Sequence, residues 1–213
     1  MLVDVNAYVG HWPFKRLRYN TCKDLLNRMN KFGVDISVVA NINGIFYKNT
    51  QSANEELYEE LNSNRRFKNR FVPFAIINPI YAGWKHDLDI CINKFGVKGI
   101  RLYPKYHDYE ITDPSCIELI KVAQGYDLPV AFTIRMVDSR QRSWIDIDGE
   151  WDVYSNKEWR LKDIVPIIKK VPDAKYMILN IANNGRMSDE ELETLKSSNV
   201  LFDTSGRAIS KMK

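Results

Sequence analysis

Strict alternation between short apolar runs and segments of helical periodicity restricts this chain to one broad architecture. The apolar runs open at Leu2 and recur at Ile36–Ala40, Phe71–Ile77, Val97–Leu102, Pro129–Ile134, Tyr176–Leu179 and Asn199–Asp203. Between them lie six helical patterns. Thr21 caps a helix over Cys22–Phe32 that stops at Gly33, and Ser52 with Glu55 forms a capping box for a helix running through Leu57, Tyr58 and Leu61. Gly83–Phe95 ends at Gly96, Asp113-Pro114 starts a helix through Gln124, Leu161–Val171 follows a long irregular stretch, and Ser188 with Glu191 caps the last helix through Ser198. Strands this continuously apolar are buried on both faces, which requires a parallel sheet with helices outside it.

The expected fold is therefore α/β, a (β/α) barrel-like single domain over residues 1–213 with seven recognisable parallel strands. A closed eightfold barrel usually takes about 250 residues. The pattern falls one strand and two helices short of that, so the barrel is expected to be incomplete, with edges at the first and last strands open to a second copy of the chain. Pro73 is a weak point in the third strand, because it removes one ladder donor.

Composition narrows the function classes. A hydrophobic share of 45%, with 12% aromatic residues, fits one sizeable core. Net charge is +4, from 31 basic and 27 acidic residues dispersed along the chain. That argues against a nucleic-acid partner and leaves a small anion as the expected ligand. No apolar run has the length of a membrane span and the first twenty or so residues carry no secretory pattern, so a cytoplasmic location is expected. Cys22, Cys91 and Cys116 are widely separated and fall in helical segments, which predicts reduced packing thiols and no cysteine zinc site.

In a parallel barrel, chemistry gathers at the carboxyl ends of the strands. Those positions hold Asn6 and Tyr8, Asn41 and Asn43, Asn78, then Arg101, Tyr103, Lys105 and His107, Arg135 and Asp138, Asn180, Asn183 and Asn184, and Asp203 and Ser205. Amides and cations dominate and metal ligands are scarce. Arg101, Lys105 and Arg135 suit an anion clamp, since a guanidinium presents a planar fork to a carboxylate. The competing arrangement pairs Arg101 and Arg135 internally with Asp4, Asp138 or Asp203. His86 falls inside a helix and is expected to face solvent, while Trp144, Trp151 and Trp159 sit in the long irregular segment as lid or anchor residues.

The opening Asp4-Val5-Asn6-Ala7-Tyr8-Val9-Gly10 resembles the first-strand motif of the amidohydrolase superfamily, and Phe95-Gly96-Val97-Lys98-Gly99-Ile100-Arg101-Leu102-Tyr103-Pro104 is similar to the fourth-strand motif of its amidohydrolase-2 type. Asn54–Leu57, Arg70–Phe74 and Asn78-Pro79 match the stretch that precedes it. The resemblance implies a TIM barrel and hydrolase or carbon–carbon lyase chemistry on a small carboxylate-bearing substrate, with a divalent metal held by His-x-His on the first strand. Asn6 and Tyr8 stand at those two positions, and neither is an ordinary zinc ligand. No cofactor is therefore expected, with zinc as the minority alternative. His107 and Asp203 are the acid–base candidates. Asn6, Tyr8, Arg101, Tyr103, Lys105, Arg135 and Asn180 are the candidate substrate-binding residues. The alternative is a barrel that has lost the metal and binds a ligand or a partner without turnover.

Overall fold

Strand β1 (Val3–Val9) pairs in parallel with β2 (Ile36–Asn41), which pairs in parallel with β3 (Phe71–Pro73). Five further strands, β4 (Ala75–Ile76), β5 (Ile100–Leu102), β6 (Val130–Thr133), β7 (Tyr176–Leu179) and β8 (Val200–Phe202), form a second parallel ladder in chain order. The computed structural model describes residues 1–13, 16–133, 160–180 and 187–203.

The third apolar run, expected as one strand over Phe71–Ile77, is divided at Phe74. Its first half follows β2, and the Phe74 amide still donates to the Val39 carbonyl at 2.8 Å. Its second half follows β5, with Ala75 N–H donating to the Gly99 carbonyl at 3.0 Å. The break falls beside the proline that carries no ladder donor. Read through this junction, the seven runs lie side by side in their sequence order, with every pairing parallel.

The helices are α1 (Cys22–Phe32), α2 (Thr50–Asn62), α3 (Arg65–Arg70), α4 (Trp84–Asn93), α5 (Pro114–Gly125), α6 (Val165–Lys170) and α7 (Asp189–Ser197). Thr21 caps α1 and Gly33 ends it at φ 67°, as the sequence predicts. The Ser188 and Glu191 box at α7 also forms. The start of α2 differs: Asn49 is its cap, accepting from Gln51 N–H, so the helix begins at Thr50 and Ser52 lies inside it. An Asx side chain one turn upstream outcompetes the Ser-x-x-Glu pattern. Helix α3, capped by Asn64, has too few apolar residues to show periodicity in the sequence. The Leu161–Val171 pattern is a 3-10 turn, Leu161–Ile164, leading into α6.

Alternation along the strands builds two layers. Outward residues Ile100, Leu102, Val130, Phe132, Tyr176 and Ile178 pack on Leu88, Cys91, Leu119, Ile120, Ile164 and Ile167 of the helical shell. Over the first ladder a separate cluster joins Ala7, Val9, Val39 and Phe71 to Leu25, Leu26, Met29, Leu57 and Leu61. Inward residues Val5, Val38, Val72, Phe74, Ala131, Met177 and Leu179 fill the barrel interior. Phe74 reaches that layer because Gly99 has no side chain: a Cβ there would lie 2.3 Å from its ring. Cys22, Cys91 and Cys116 are all buried free thiols. Burial pushes the Cys91 and Cys116 thiols up to about 12, so they stay protonated packing groups.

Strands β1 and β8 end the order, and each is paired on one side among the described residues. Leu2, Val3, Leu201 and Phe202 are exposed there, Leu201 by 63%. His86 faces solvent on α4. Among the described residues no helix is long and apolar enough to cross a membrane.

Candidate functional site at the carboxyl ends of the strands

The register of β1 against β2 shifts between Asp4 and Ala7. This bulge turns Ala7 and Val9 out toward α1 and leaves Asn6 and Tyr8 on the inner side, where β5 delivers Arg101 and Tyr103. Arg101 is fully buried, because its strand neighbours Ile100 and Leu102 face the helical shell and it alone points inward. Its Nη2 donates to the Val38 carbonyl at 2.9 Å and to the Val5 carbonyl at 3.3 Å, and its Nη1 to Asn6 Oδ1 at 3.4 Å. The guanidinium stacks over the Tyr8 ring, 4.5 Å from its centroid. The Tyr103 hydroxyl donates to the Tyr8 hydroxyl at 3.1 Å.

Among the described residues no carboxylate pairs with Arg101, and its Nε has no hydrogen-bond partner. Arg101 therefore forms no ion pair with Asp4 or Asp203; Asp4 is exposed on β1, and Arg135 and Asp138 lie outside the described residues. Burial opposes the charge of Arg101, but the hydroxyls of Tyr8 and Tyr103 favour it and the net direction is upward. Burial also holds the Tyr103 phenol well above its usual value, so it is a neutral donor beside the cation.

Asn6 links the two ends of the sheet. Its Nδ2 donates to Asn180 Oδ1 at 2.6 Å and to Asp203 Oδ2 at 2.8 Å, while the Asn180 backbone N–H reaches the same carboxylate oxygen at 3.3 Å. Asn180, just past β7, has φ 55°, a left-handed conformation that asparagine tolerates better than most residues. Three candidates from strands far apart in sequence thus meet at one point, next to Arg101.

His107 sits in the turn after β5, buried, with Nε2 donating to the Gly44 carbonyl at 3.0 Å in the tautomer that carbonyl requires. Its Nδ1 is buried without a hydrogen-bond partner, and its ring lies 6.2 Å from that of Tyr103. Burial holds the imidazole below its ordinary 6.5, offset in part by the Gly44 contact. The unfolded chain therefore binds the proton first on acidification, and the His107 contribution to stability is complete above about pH 6.5 and declines as pH falls through the lowered value. Urea midpoints measured from pH 7 to 5 are expected to fall, and His107→Gln is expected to flatten that slope. An unchanged slope in the variant would assign the acid sensitivity to other groups.

One network was not legible beforehand. Glu56 of α2 accepts from Asn41 Nδ2 at 2.8 Å, Asn43 Nδ2 at 2.9 Å and Tyr47 hydroxyl at 3.0 Å, fixing the loop after β2. Gly10 turns against it at φ 95°, where a Cβ would fall 2.2 Å from Asn41 Oδ1. Thr133, two residues beyond the inward Ala131, is buried with an unpartnered hydroxyl. Lys105 is half-buried in the turn after β5. Arg135, Asn183, Asn184, Ser205 and the three tryptophans of the long segment lie outside the described residues.

The described side chains do not suit a divalent metal. Asn6 is engaged by Asn180, Asp203 and Arg101, and the Tyr8 ring carries a guanidinium that would repel a second cation. His11 is exposed on its loop, with Nδ1 beside Asn20 Nδ2, whereas His107 is buried. Among the described residues no group of three or more His, Cys, Asp or Glu could hold a metal.

No protein-family profile and no curated protein matches this sequence. Solved structures do. A candidate amidohydrolase from Staphylococcus aureus superposes with TM-score 0.60 at 14% identity, over 94% of this chain and 86% of that one. The 4-oxalomesaconate hydratase of Rhodopseudomonas palustris gives TM-score 0.62 at 15% identity, over 96% of this chain and 74% of the other. The 5-carboxyvanillate decarboxylase of Sphingomonas paucimobilis gives 0.57 at 11% identity, over 94% and 87%. At these identities the likeness is one of fold, and the fold shared is the parallel TIM barrel that the strand alternation predicts.

Proposed function

We propose that the carboxyl end of the barrel binds a small carboxylate-bearing molecule, and that the protein is an amidohydrolase-like enzyme, a hydrolase or carbon–carbon lyase, working without a bound transition metal. The observation that carries this reading is Arg101, a fully buried guanidinium that no described carboxylate pairs with directly. A buried charge left without a counter-ion is costly, and an anionic substrate supplies one. The neighbours named for the fold include a hydratase and a decarboxylase whose names specify carboxylate substrates. In this reading Arg101 draws in the anion, Tyr103 donates to it, and Asn6, Tyr8 and Asn180 fix its orientation. Lys105, in the turn after β5, adds a further cation, and Arg135 is the second that the sequence offers. His107, through its free Nδ1, or Asp203, already accepting from two amides, moves the proton.

The second reading is a barrel that binds its ligand without turnover. It is favoured by the amide and phenol at positions 6 and 8, which orient a ligand but do not activate water as a metal would. The exposed β1 and β8 edges suit pairing with a second copy, which light scattering would register as a dimer and a monomer at all concentrations would exclude.

Thermal shift with benzoate and malonate, against benzamide and malonamide, tests the site. Either acid is expected to raise the melting temperature while the uncharged amides do not, reaching about 2.7 kcal/mol of stabilisation at a hundredfold excess over Kd. Elemental analysis of the same preparation is expected to find no stoichiometric zinc, iron or manganese. Equal shifts by acids and amides, or about one tightly held metal per chain, would overturn the respective halves of the reading.

A further inference from the structure

We infer a second binding site, on the outside of the barrel, for a single-chain aliphatic carboxylate. Its motive is a cavity of about 490 Å³ at the seam where the third strand divides, lined by none of the residues of the Arg101 cluster. The seam exists because the two outer cores do not merge: Leu57, Leu61 and Phe71 belong to one, Ala75 and Val97 to the other. Over the gap, Tyr58 of α2 stacks on Phe95, just past the end of α4, with ring centroids 4.6 Å apart. All of these residues line the cavity, giving it an apolar floor and an aromatic wall. The volume lies within the roughly 300–1,000 Å³ usual for small-molecule sites.

Charge decides the occupant. Lys68 of α3 and Lys94 and Lys98 of the stretch between α4 and β5 line the cavity, and no Asp or Glu does. None of the three joins an ion pair among the described residues; Lys94 rests its ammonium over the Phe95 ring at 5.8 Å. An apolar trough rimmed by unneutralised lysines matches an aliphatic chain ending in a carboxylate. A neutral or cationic amphiphile satisfies the trough and leaves the rim unanswered. The lysines are exposed, so their attraction is screened and the affinity depends on salt.

This inference stands apart from the reading of the barrel mouth, and the test keeps them separate. Decanoate below its micellar range is titrated calorimetrically into the full chain, beside decanol and decyltrimethylammonium. Decanoate is expected to bind, and the double variant Lys94→Glu, Lys98→Glu to weaken it by about tenfold. Asn62→Trp, which places a bulky ring at an exposed position lining the cavity, is expected to weaken it as well, with folding checked by circular dichroism. Arg101→Met leaves decanoate affinity unchanged if the outer seam is the site and abolishes it if the acid is held at the barrel mouth, which would overturn the inference. Equal binding of the alcohol or the ammonium compound, or charge reversal without effect, would do the same, as would failure of decanoate to bind.

Discussion

Arg101→Met is expected to make the protein more stable and to remove its response to carboxylates. Methionine fills nearly the same space, and it releases the fold from burying a cation that no described carboxylate neutralises. Exchange of buried ionic groups for apolar ones of similar volume is often stabilising by about 1–4 kcal/mol. Against this stands the loss of one good hydrogen bond to the Val38 carbonyl and two long ones to Val5 and Asn6. An orphaned acceptor costs about 1–3 kcal/mol, so a net gain of about 0.5 kcal/mol is expected from the middle of the two ranges, or roughly 1–2 °C in a chain of this size. The benzoate and malonate shifts should vanish in the same variant. A lower melting temperature with the carboxylate response retained would make Arg101 a structural strut. The predicted combination, higher stability with binding lost, is what a residue kept for function at the expense of stability produces.

The largest purely structural effect is expected from Gly99→Ala. The added methyl would meet three atoms of the Phe74 ring at 2.3, 2.5 and 2.6 Å, inside an interior layer where Phe74 is 3% exposed. The ring cannot withdraw, because its backbone is held to the Val39 carbonyl on one side and followed at once by β4 on the other. Overpacking of this kind costs about 3 kcal/mol, the upper part of its usual range. Denaturant unfolding of Gly99→Ala should show that loss, and the pair Gly99→Ala with Phe74→Leu should recover about 1 kcal/mol of it. Additive losses in the double variant would mean that the clash is relieved elsewhere.

What the sequence made legible, and what it did not, follows from the range of the interactions involved. The seven apolar runs, the parallel order and the Thr21, Asp113 and Ser188 caps are local patterns, and each reappears in the structure. The division at Phe74 was only half legible: Pro73 marked a weak ladder position, but the room for the Phe74 ring comes from Gly99, beyond α4 and just before β5. In the site, Asn6, Tyr8, Arg101, Tyr103, Asn180 and Asp203 could be placed because strand ends in a parallel barrel converge. The absence of a described carboxylate at Arg101 could not, since pairing is a matter of angles among side chains from distant strands. Glu56 was missed for the same reason; it lies mid-helix in α2 and stays exposed, as a glutamate there ordinarily does, and its role comes from the Asn41, Asn43 and Tyr47 donors that reach it from the loop after β2.

The divided third strand also bears on how the molecule comes apart. Residues before Phe74 hold their own three-stranded ladder, three helices and core, and those after it hold a five-stranded ladder with a separate core. Within each ladder the strands pair in chain order, so each unit closes through its own successive parallel crossovers. The shared interior layer of Val5, Val38, Val72, Phe74, Ala131, Met177 and Leu179, with the Arg101 and Asn6 hydrogen bonds, ties the two halves together, so it is their separate outer cores that give them different opening free energies. Amide protons of β2 and of β6 would then exchange on separate schedules, with Pro73 and Phe74 marking the boundary between them.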